Sequence, residues 1–431
     1  MPSLFQVCIW DHAFQEIEMI GQLDITGSPN VYFTTECTSR IVSIPDSAFL
    51  NALIDEGVDT NEDKRISYGE AYAVTTLDVG FHDGDFINSS IFDLSGIEAF
   101  KNLDTLDISC HPVQNLVLWN QTNLKYLAAT GCKLEHIDVR FCTELRTLDL
   151  TYYSNRDPGG KGNLIEIDVS RNRYLSKLTC NNNQIKNLDV SNNTELEYLS
   201  CSANLLASLN ISENALLNTL RCSNNRLNSL DVSTNSELEY LSCSGNNLTS
   251  IDVSNNTILS KLNCSDNQLT GLNLSNNTNL ESLYCNTNGL RSLDVSDNRL
   301  LHYLGISHNP DLREVCVWTF PFPPLDVAID TTGSPNVEFY DCSGTGIGIN
   351  KKTIPDLQVF PNPTQNYLTI ETNHSDHYLI EITTLNGQSI LTGKMEGTSH
   401  QIDLSSFQKG IYFITISSID FVATRKIIKL E

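Results

Sequence analysis

The sequence predicts a mainly β protein with irregular coils: a solenoid of 21-residue repeats followed by a small β-sandwich. Three observations predict it. Cys180, Cys201, Cys222, Cys243, Cys264 and Cys285 follow one another at a constant step of 21 residues. Ile185, Leu206, Leu227, Leu248, Leu269 and Leu290 keep that step, as do Asn183, Asn204, Asn225, Asn246, Asn267, Asn288 and Asn309. After residue 310 the repeat stops, and from residue 357 alternating apolar runs such as 378–382 (YLIEI) and 411–416 (IYFITI) take over. A step so constant means one structural unit laid down again and again. Alternation of that kind means strands.

In chain order, residues 1–42 are one copy of an internal duplication. Residues 2–10 (PSLFQVCIW) match 310–318 (PDLREVCVW), and 26–33 (TGSPNVYF) match 332–339 (TGSPNVEF). Each copy soon ends in a cysteine, Cys37 or Cys342. The later copy directly follows the last repeat, so residues 311–342 read as the C-terminal cap of the array. Residues 1–42 then read as the cap of another array upstream of Met1. The natural protein is therefore expected to be longer, with its signal peptide in the missing part, since residues 1–10 carry no basic region ahead of an apolar one. Cys8–Cys37 and Cys316–Cys342 are candidate cap disulfides in an oxidising compartment. Free buried thiols are the alternative.

Residues 43–76 read as a helix–loop–helix. Within them, 59–70 (DTNEDKRISYGE) has the spacing of an EF-hand loop. Asp59, Asn61 and Asp63 supply oxygens at positions 1, 3 and 5, Arg65 a carbonyl at 7, and Glu70 a carboxylate at 12. Hard oxygen donors in that order suit Ca2+, and Ile66 fits the apolar position that anchors such loops. Lys64 departs from the pattern, standing where glycine makes the sharp turn and bringing a positive charge near the ion. Calcium is the one cofactor this chain suggests, with a metal-free helix–turn–helix cap as the alternative.

Residues 77–310 are the array. The unit L-x-x-L-x-[apolar]-x-x-N-x-L is the signature of a leucine-rich-repeat solenoid. In residues 196–206 (LEYLSCSANLL), Leu199 and Cys201 point one way from a short strand, while Tyr198, Ser200 and Ser202 point into solvent. A second half-unit repeats the first and carries its own asparagines at Asn172, Asn193, Asn214, Asn235, Asn256, Asn277 and Asn298. Each asparagine amide is placed to bond backbone groups freed at a bend. One coil cannot bury its own apolar side chains, so stability is shared along the stack and the ends need caps. The cysteines are expected to act as small, soft hydrophobes. Stacked parallel strands set neighbouring thiols in the wrong mutual direction for a disulfide, and no C-x-x-C zinc pair occurs. Ile108, Ala129, Leu150 and Ile306 hold the same register, as a packing role requires.

The exposed strand positions are where a ligand would be read. They carry Tyr126, Lys177, Tyr198, Arg221, Tyr240, Lys261, Tyr284 and Tyr303, residue types enriched at binding hot spots. A solvated face with incidental tyrosines is the alternative. On the second side Asp138, Asp168, Asp189, Asp231, Asp252 and Asp294 form an acidic stripe, interrupted by Asn210 and Asn273 and read as a solvated face. Between Leu150 and Leu164 the spacing is too long for the repeat, and the excess is a candidate binding loop or a neutral insertion.

Residues 343–356 are Gly-rich and read as a linker, and residues 357–431 as a small immunoglobulin-like sandwich. The segments 360–364 (FPNPT), 385–388 (LNGQ), 402–405 (IDLS), 409–412 (KGIY) and 426–429 (KIIK) resemble, in order, the type A C-terminal sorting domain of the bacterial type IX secretion system. The resemblance implies passage across the outer membrane of a Gram-negative bacterium, through secretion machinery that reads residues 357–431. The opening run 91–103 (IFDLSGIEAFKNL) and the repeat form L-x-x-L-x-C-x-x-N-x-L-x-x-L-D-V-S are similar to the cysteine-ladder repeats of internalin J-like surface adhesins. That likeness covers residues 91–310 and informs fold more than ligand.

Net charge is −25, which makes nucleic acid and anionic membrane poor partners. No apolar run is long enough for a membrane helix. There is no H-E-x-x-H, G-x-S-x-G or phosphate-cradling glycine loop. The expected function is a secreted or surface-displayed, non-catalytic binding protein for a protein or glycan ligand. The alternatives are a targeting module of an enzyme whose catalytic domain lies upstream, or a structural spacer.

Overall fold

The computed structural model describes residues 6–8, 32–34, 40–81, 90–153, 160–318, 322–324, 327–342, 358–384, 388–417 and 422–430. They belong to two units, Met1–Arg226 and Leu227–Glu431.

In the first unit, Gln6–Cys8 runs parallel to Tyr32–Thr34 with Val7 opposite Phe33. Helix α1, Ser47–Asp55, starts at Asp46. One oxygen of that carboxylate accepts the Ala48 and Phe49 N–H groups at 2.8 and 3.2 Å. The other accepts the Phe92 and Asp93 N–H groups at 2.8 and 3.0 Å. One side chain thus caps the helix and ties it to the chain entering the array. Helix α2, Tyr68–Ala73, opens on a capping box between Ser67 and Glu70. Phe49, Leu53 and Ile66 are fully buried.

Seven three-residue strands follow in parallel register: Thr76–Asp78, Thr105–Asp107, Tyr126–Ala128, Thr147–Asp149, Lys177–Thr179, Tyr198–Ser200 and Thr219–Arg221. They are short because only the central leucine, Leu77 through Leu220, faces inward before the chain turns. The step from Thr147 to Lys177 is 30 residues, nine more than the repeat, yet Leu148 still pairs with Leu178. The nine extra residues therefore leave the ladder undisturbed; of that insertion, 154–159 lie outside the described residues.

The second unit continues the pattern in Tyr240–Ser242, Lys261–Asn263, Ser282–Tyr284, Tyr303–Gly305 and Ala328–Asp330. On its second side Ser292–Asp294, Glu314–Val317 and Glu338–Asp341 pair in parallel. Val315 stands opposite Phe339, the same pairing that Val7 and Phe33 make in the earlier copy. Cys316 and Cys342 are joined in a disulfide, with Cα atoms 5.4 Å apart. The other candidate pair involves Cys37, outside the described residues, as are the Gly-rich segment 343–350 and the turn pair Asn386–Gly387.

Residues 358–430 form five antiparallel strands: Gln358–Phe360, Tyr367–Thr384, Ser389–Asp403, Gly410–Ser417 and Val422–Lys429. The early part of the longest strand pairs with Gln358–Phe360, and its later part with Gly410–Ser417. A register shift between Glu371 and Asp376 separates the two parts. Alternate residues Tyr378, Ile380, Ile382 and Tyr412, Ile414, Ile416 share a core with Leu368, Ile370 and Met395, as period-two patterning requires.

Candidate binding face and the ladders that hold it

Two columns of side-chain amides fix the coils. Asn204 donates to the Cys180 and Cys201 carbonyls at 2.9 and 3.1 Å, and its oxygen accepts the Ile185 N–H at 3.0 Å. Asn225 does the same one coil on, and Asn267, Asn288 and Asn309 repeat it in the second unit. The other column is used differently. Asn193 donates to the Val169 and Asn172 carbonyls at 3.0 and 2.8 Å, while its own buried oxygen receives no donor.

Near the start of the array other residues take these positions, which the sequence reading missed. His111 accepts the Ile91 N–H on Nδ1 at 3.1 Å and donates Nε2–H to the Val79 carbonyl at 2.6 Å. Cys132 donates its thiol to the Ile108 carbonyl, Cys142 to that of Leu118, and Gln121 its amide to that of Ile97. The signal was available: 111 to 132 and 121 to 142 are both steps of 21. Burial pushes the His111 pKa down, against the pull of the Val79 carbonyl, Asp46 and Asp107.

The ladder thiols, Cys180 to Cys285, are fully buried. Burial pushes Cys201, Cys243 and Cys285 up to about 12, so they stay as neutral, apolar thiols at any physiological pH. The equivalent Ile108, Ala129, Leu150 and Ile306 are buried too.

The eight candidate ligand-reading residues occupy two columns of the inner strand face. Tyr126, Lys177, Tyr198, Tyr240, Lys261 and Tyr303 begin their strands. Arg221 and Tyr284 end theirs, opposite Ser200 and Asn263. In the first unit Lys177 Nζ lies 5.2 Å and Arg221 Cζ 5.9 Å from the centre of the Tyr198 ring. Tyr126 stands apart, with the strand Thr147–Asp149 between it and Lys177. Burial, and the charges of Asp107, Asp149 and Asp78, push its phenol up. In the second unit Lys261 Nζ lies 5.4 Å from the Tyr240 ring and 5.6 Å from that of Tyr284. Tyr284 stacks on Tyr303 at 4.5 Å. Cations over ring faces and stacked rings hold these long side chains in place before any ligand arrives. One expectation fails here. Ser200 is 3% exposed, not solvated; its hydroxyl donates to Asn181 Oδ1 of the preceding coil at 2.8 Å, because small strand-end residues are covered by their neighbours.

The acidic stripe proves to be a column of turns. Asp168, Asp189, Asp231, Asp252 and Asp294 each accept the N–H of the serine two residues on. Asn210 and Asn273 do the same for Ser212 and Ser275, which explains why either residue type serves. Asp138 also pairs with Arg140 at 2.8 Å.

In the loop 59–70, Asp59 accepts the Asp63 and Lys64 N–H groups at 3.2 and 2.8 Å. Asn61 and Asp63 accept those of Asp63 and Arg65, both at 2.9 Å. One oxygen of Glu70 takes Thr60 N–H and Oγ1–H, and the other takes Ser67 N–H and Oγ–H. Lys64 sits at φ 64°, the left-handed conformation that glycine holds without strain. The carboxylates are therefore committed to the loop's own N–H groups, and no group of three or more His, Cys, Asp or Glu among the described residues is arranged around a metal position. The Val42 N–H donates to the Ile66 carbonyl at 2.8 Å, anchoring the loop to the entering chain.

Comparison with known proteins agrees with this geometry. Residues 358–430 match the family model of the secretion system C-terminal sorting domain. No curated protein matches the sequence. Among solved structures, the functional domain of InlJ from Listeria monocytogenes, which includes a cysteine ladder, is 25% identical at TM-score 0.51, covering 92% of this chain and 100% of its own. A leucine-rich-repeat protein from Bacteroides eggerthii is 15% identical at TM-score 0.46, covering 63% and 49%. YopM, a leucine-rich effector from Yersinia pestis, is 20% identical at TM-score 0.41, covering 56% and 78%. No helix among the described residues is long and apolar enough to cross a membrane. The chain is a leucine-rich-repeat solenoid with an internal cysteine ladder, ending in a secretion system C-terminal sorting domain.

Proposed function

We propose that this protein is exported by the type IX machinery through residues 357–431. Outside a Gram-negative cell, it holds a protein or glycan ligand on its inner strand face and catalyses no reaction. The observation that carries the reading is the arrangement of Lys261 between Tyr240 and Tyr284, with Tyr303 stacked beyond. Aromatic and cationic groups already ordered on a rigid register lose little entropy on binding. The sorting domain supports delivery to the place where such a ligand is met. Calcium belongs to the same proposal: Asp59, Asn61, Asp63, the Arg65 carbonyl and Glu70 would hold it, the Asp59 and Asp63 oxygens with a lone pair to offer and Glu70 by giving up a Thr60 or Ser67 donor.

Two experiments test the reading. Deleting residues 357–431 is expected to retain the protein inside the cell. Replacing Tyr240, Tyr284 and Tyr303 by alanine is expected to abolish binding to glycan arrays or host-cell surfaces while leaving export intact. Unchanged binding by the triple variant would leave the inner face without a role.

A further inference from the structure

The array supplies its own control for which residues its fold requires, because each position recurs every 21 residues. At one turn the sequence departs from that average in a way packing does not need. Residues 171–174 read Arg-Asn-Arg-Tyr. The position of Arg171 holds Asn192, Glu213, Thr234, Asn255, Asn276 and Asp297 in later coils, all neutral or acidic. The position of Tyr174 holds Glu195, Leu216, Glu237, Ile258, Asn279 and Leu300. In a chain of net charge −25, two arginines and a tyrosine concentrated on one turn are out of character.

The structure gathers them around a hollow. Thr143, Ser170, Arg171, Arg173 and Tyr174 line an open space of ≈ 510 Å³. Arg146 lies with its guanidinium 5.7 Å from the Tyr174 ring, and Tyr174 is nevertheless 48% exposed. The floor is rigid. Between the two arginines, Asn172 is fully buried and donates to the Val139 and Cys142 carbonyls at 2.9 and 2.8 Å, so the backbone carrying both guanidiniums is fixed to the coil below. Two carboxylates of the same column are engaged elsewhere. Asp168 accepts Ser170 N–H and Oγ–H, and Asp138 pairs with Arg140. No ion pair joins Arg146, Arg171 or Arg173 to any described residue.

We propose that this turn is a second binding site, separate from the inner strand face, for a carboxylate-bearing saccharide. Guanidinium forks match carboxylate geometry. An exposed aromatic ring offers a face for the C–H side of a sugar, and the hydroxyls of Thr143 and Ser170 suit its hydroxyl groups. The hollow has the size of small-ligand sites. Its lining is one aromatic ring, two hydroxyls and two guanidiniums, with no aliphatic side chain to seat one from a peptide, which favours the saccharide over an acidic peptide.

The test uses the full chain at low ionic strength and three octameric probes: α-linked galacturonic acid, its methyl ester, and glutamate. The acid octamer is expected to bind, the methyl ester and the peptide at least about tenfold more weakly, with affinity falling as salt rises. Arg171→Ala with Arg173→Ala should weaken acid binding by roughly tenfold or more. The double lysine variant should fall between, because an ammonium keeps the charge but loses the fork. Tyr174→Ala should weaken binding without changing its salt dependence. Arg299→Ala, which removes the lone arginine at the equivalent of Arg173 in a later coil, should leave it unchanged. No binding of the acid octamer, equal binding of the methyl ester, equal binding of the glutamate peptide, or full binding by the double alanine variant would each overturn the proposal. The side chains exchanged are exposed, so unchanged thermal unfolding is the check that every variant is folded.

Discussion

The two asparagine columns look alike in sequence but should not be alike in energy. Asn204→Ala removes the acceptor for the Ile185 N–H and the donor to the Cys180 and Cys201 carbonyls, all in a place where Asn204 is 2% exposed. The Ile185 N–H is left unpaired, at about 1–3 kcal/mol, while the Cys180 and Cys201 carbonyls keep the Asn183 and Asn225 amides as donors and lose about 0.5–1.5 kcal/mol each, so the loss sums to about 2–6 kcal/mol. Asn193→Ala removes only the donor to the Val169 and Asn172 carbonyls. It also deletes an oxygen that was buried without a partner, which returns part of the loss. The expected difference is roughly 2 kcal/mol in favour of the Asn193 variant. Urea unfolding of both variants, followed by far-UV circular dichroism, measures it. Hydrogen exchange adds a local readout: the Ile185 amide should lose protection in Asn204→Ala and keep it in Asn193→Ala. An Asn193 variant as unstable as the Asn204 variant, or an Ile185 amide equally protected in both, would refute the reasoning.

Acidification should destabilise the first unit in two windows. His111 is buried and neutral with its pKa pushed down, so its contribution is full above the ordinary histidine value and declines as pH falls below about 6.5. Burial opposes ionisation of Asp46, but the N–H groups of Phe92, Asp93, Phe49 and Ala48 outweigh it and hold its pKa low. That contribution is present above about 3.9 and is lost as pH falls through the lower folded value. His111→Gln should flatten the first window in a stability–pH profile, and Asp46→Asn the second. Among the thiols of residues 40–342, a maleimide applied to the native protein should label Cys110, which is partly exposed, and spare the buried ladder; labelling of Cys201 or Cys243 ahead of Cys110 would contradict the packing role. Calorimetry with calcium should give a dissociation constant of about 10⁻⁴–10⁻³ M, tightening in Lys64→Gly as the charge and the strained φ both go. Heat from neither protein would remove calcium from the account. Thr287→Gly should stabilise by about 1 kcal/mol, because a β-branched residue now holds φ 51°; a neutral or negative change in midpoint would contradict that.

Most of the solenoid was legible because periodicity converts a weak local signal into a strong one. A single leucine says little, but Leu178, Leu199 and Leu220 at one step can only be one inward column. The turn conformation was written in the same way. The left-handed residue before the ladder position is Gly131, Asn182, Asn224, Gly245 and Asp266 in five coils, types that tolerate that conformation, but Cys110, Ala203, Thr287 and His308 in four others, so residue type shows it only in part. The sorting domain was legible from alternation and short motifs together. The depth of Ser200 was not, because alternation tells which face a residue is on and not how closely its neighbours crowd it.

What the sequence concealed lies where chemistry is conserved and residue type is not. His111, Cys132 and Asn204 share one position, and each sends a donor to a backbone carbonyl of an earlier coil: Val79, Ile108 and Cys180. A reader matching letters sees the asparagine column break; a reader matching hydrogen bonds sees it continue to the first coils. The converse holds at residues 171–174, where the fold's requirement is met by buried Asn172 alone. Arg171 and Arg173 make no ion pair with a described residue, and Tyr174, beneath Arg146, is still 48% exposed. In a repeat array the two cases separate cleanly. Substitutions that preserve the bond belong to folding, and substitutions that leave every bond intact while changing the surface are where a ligand is to be sought.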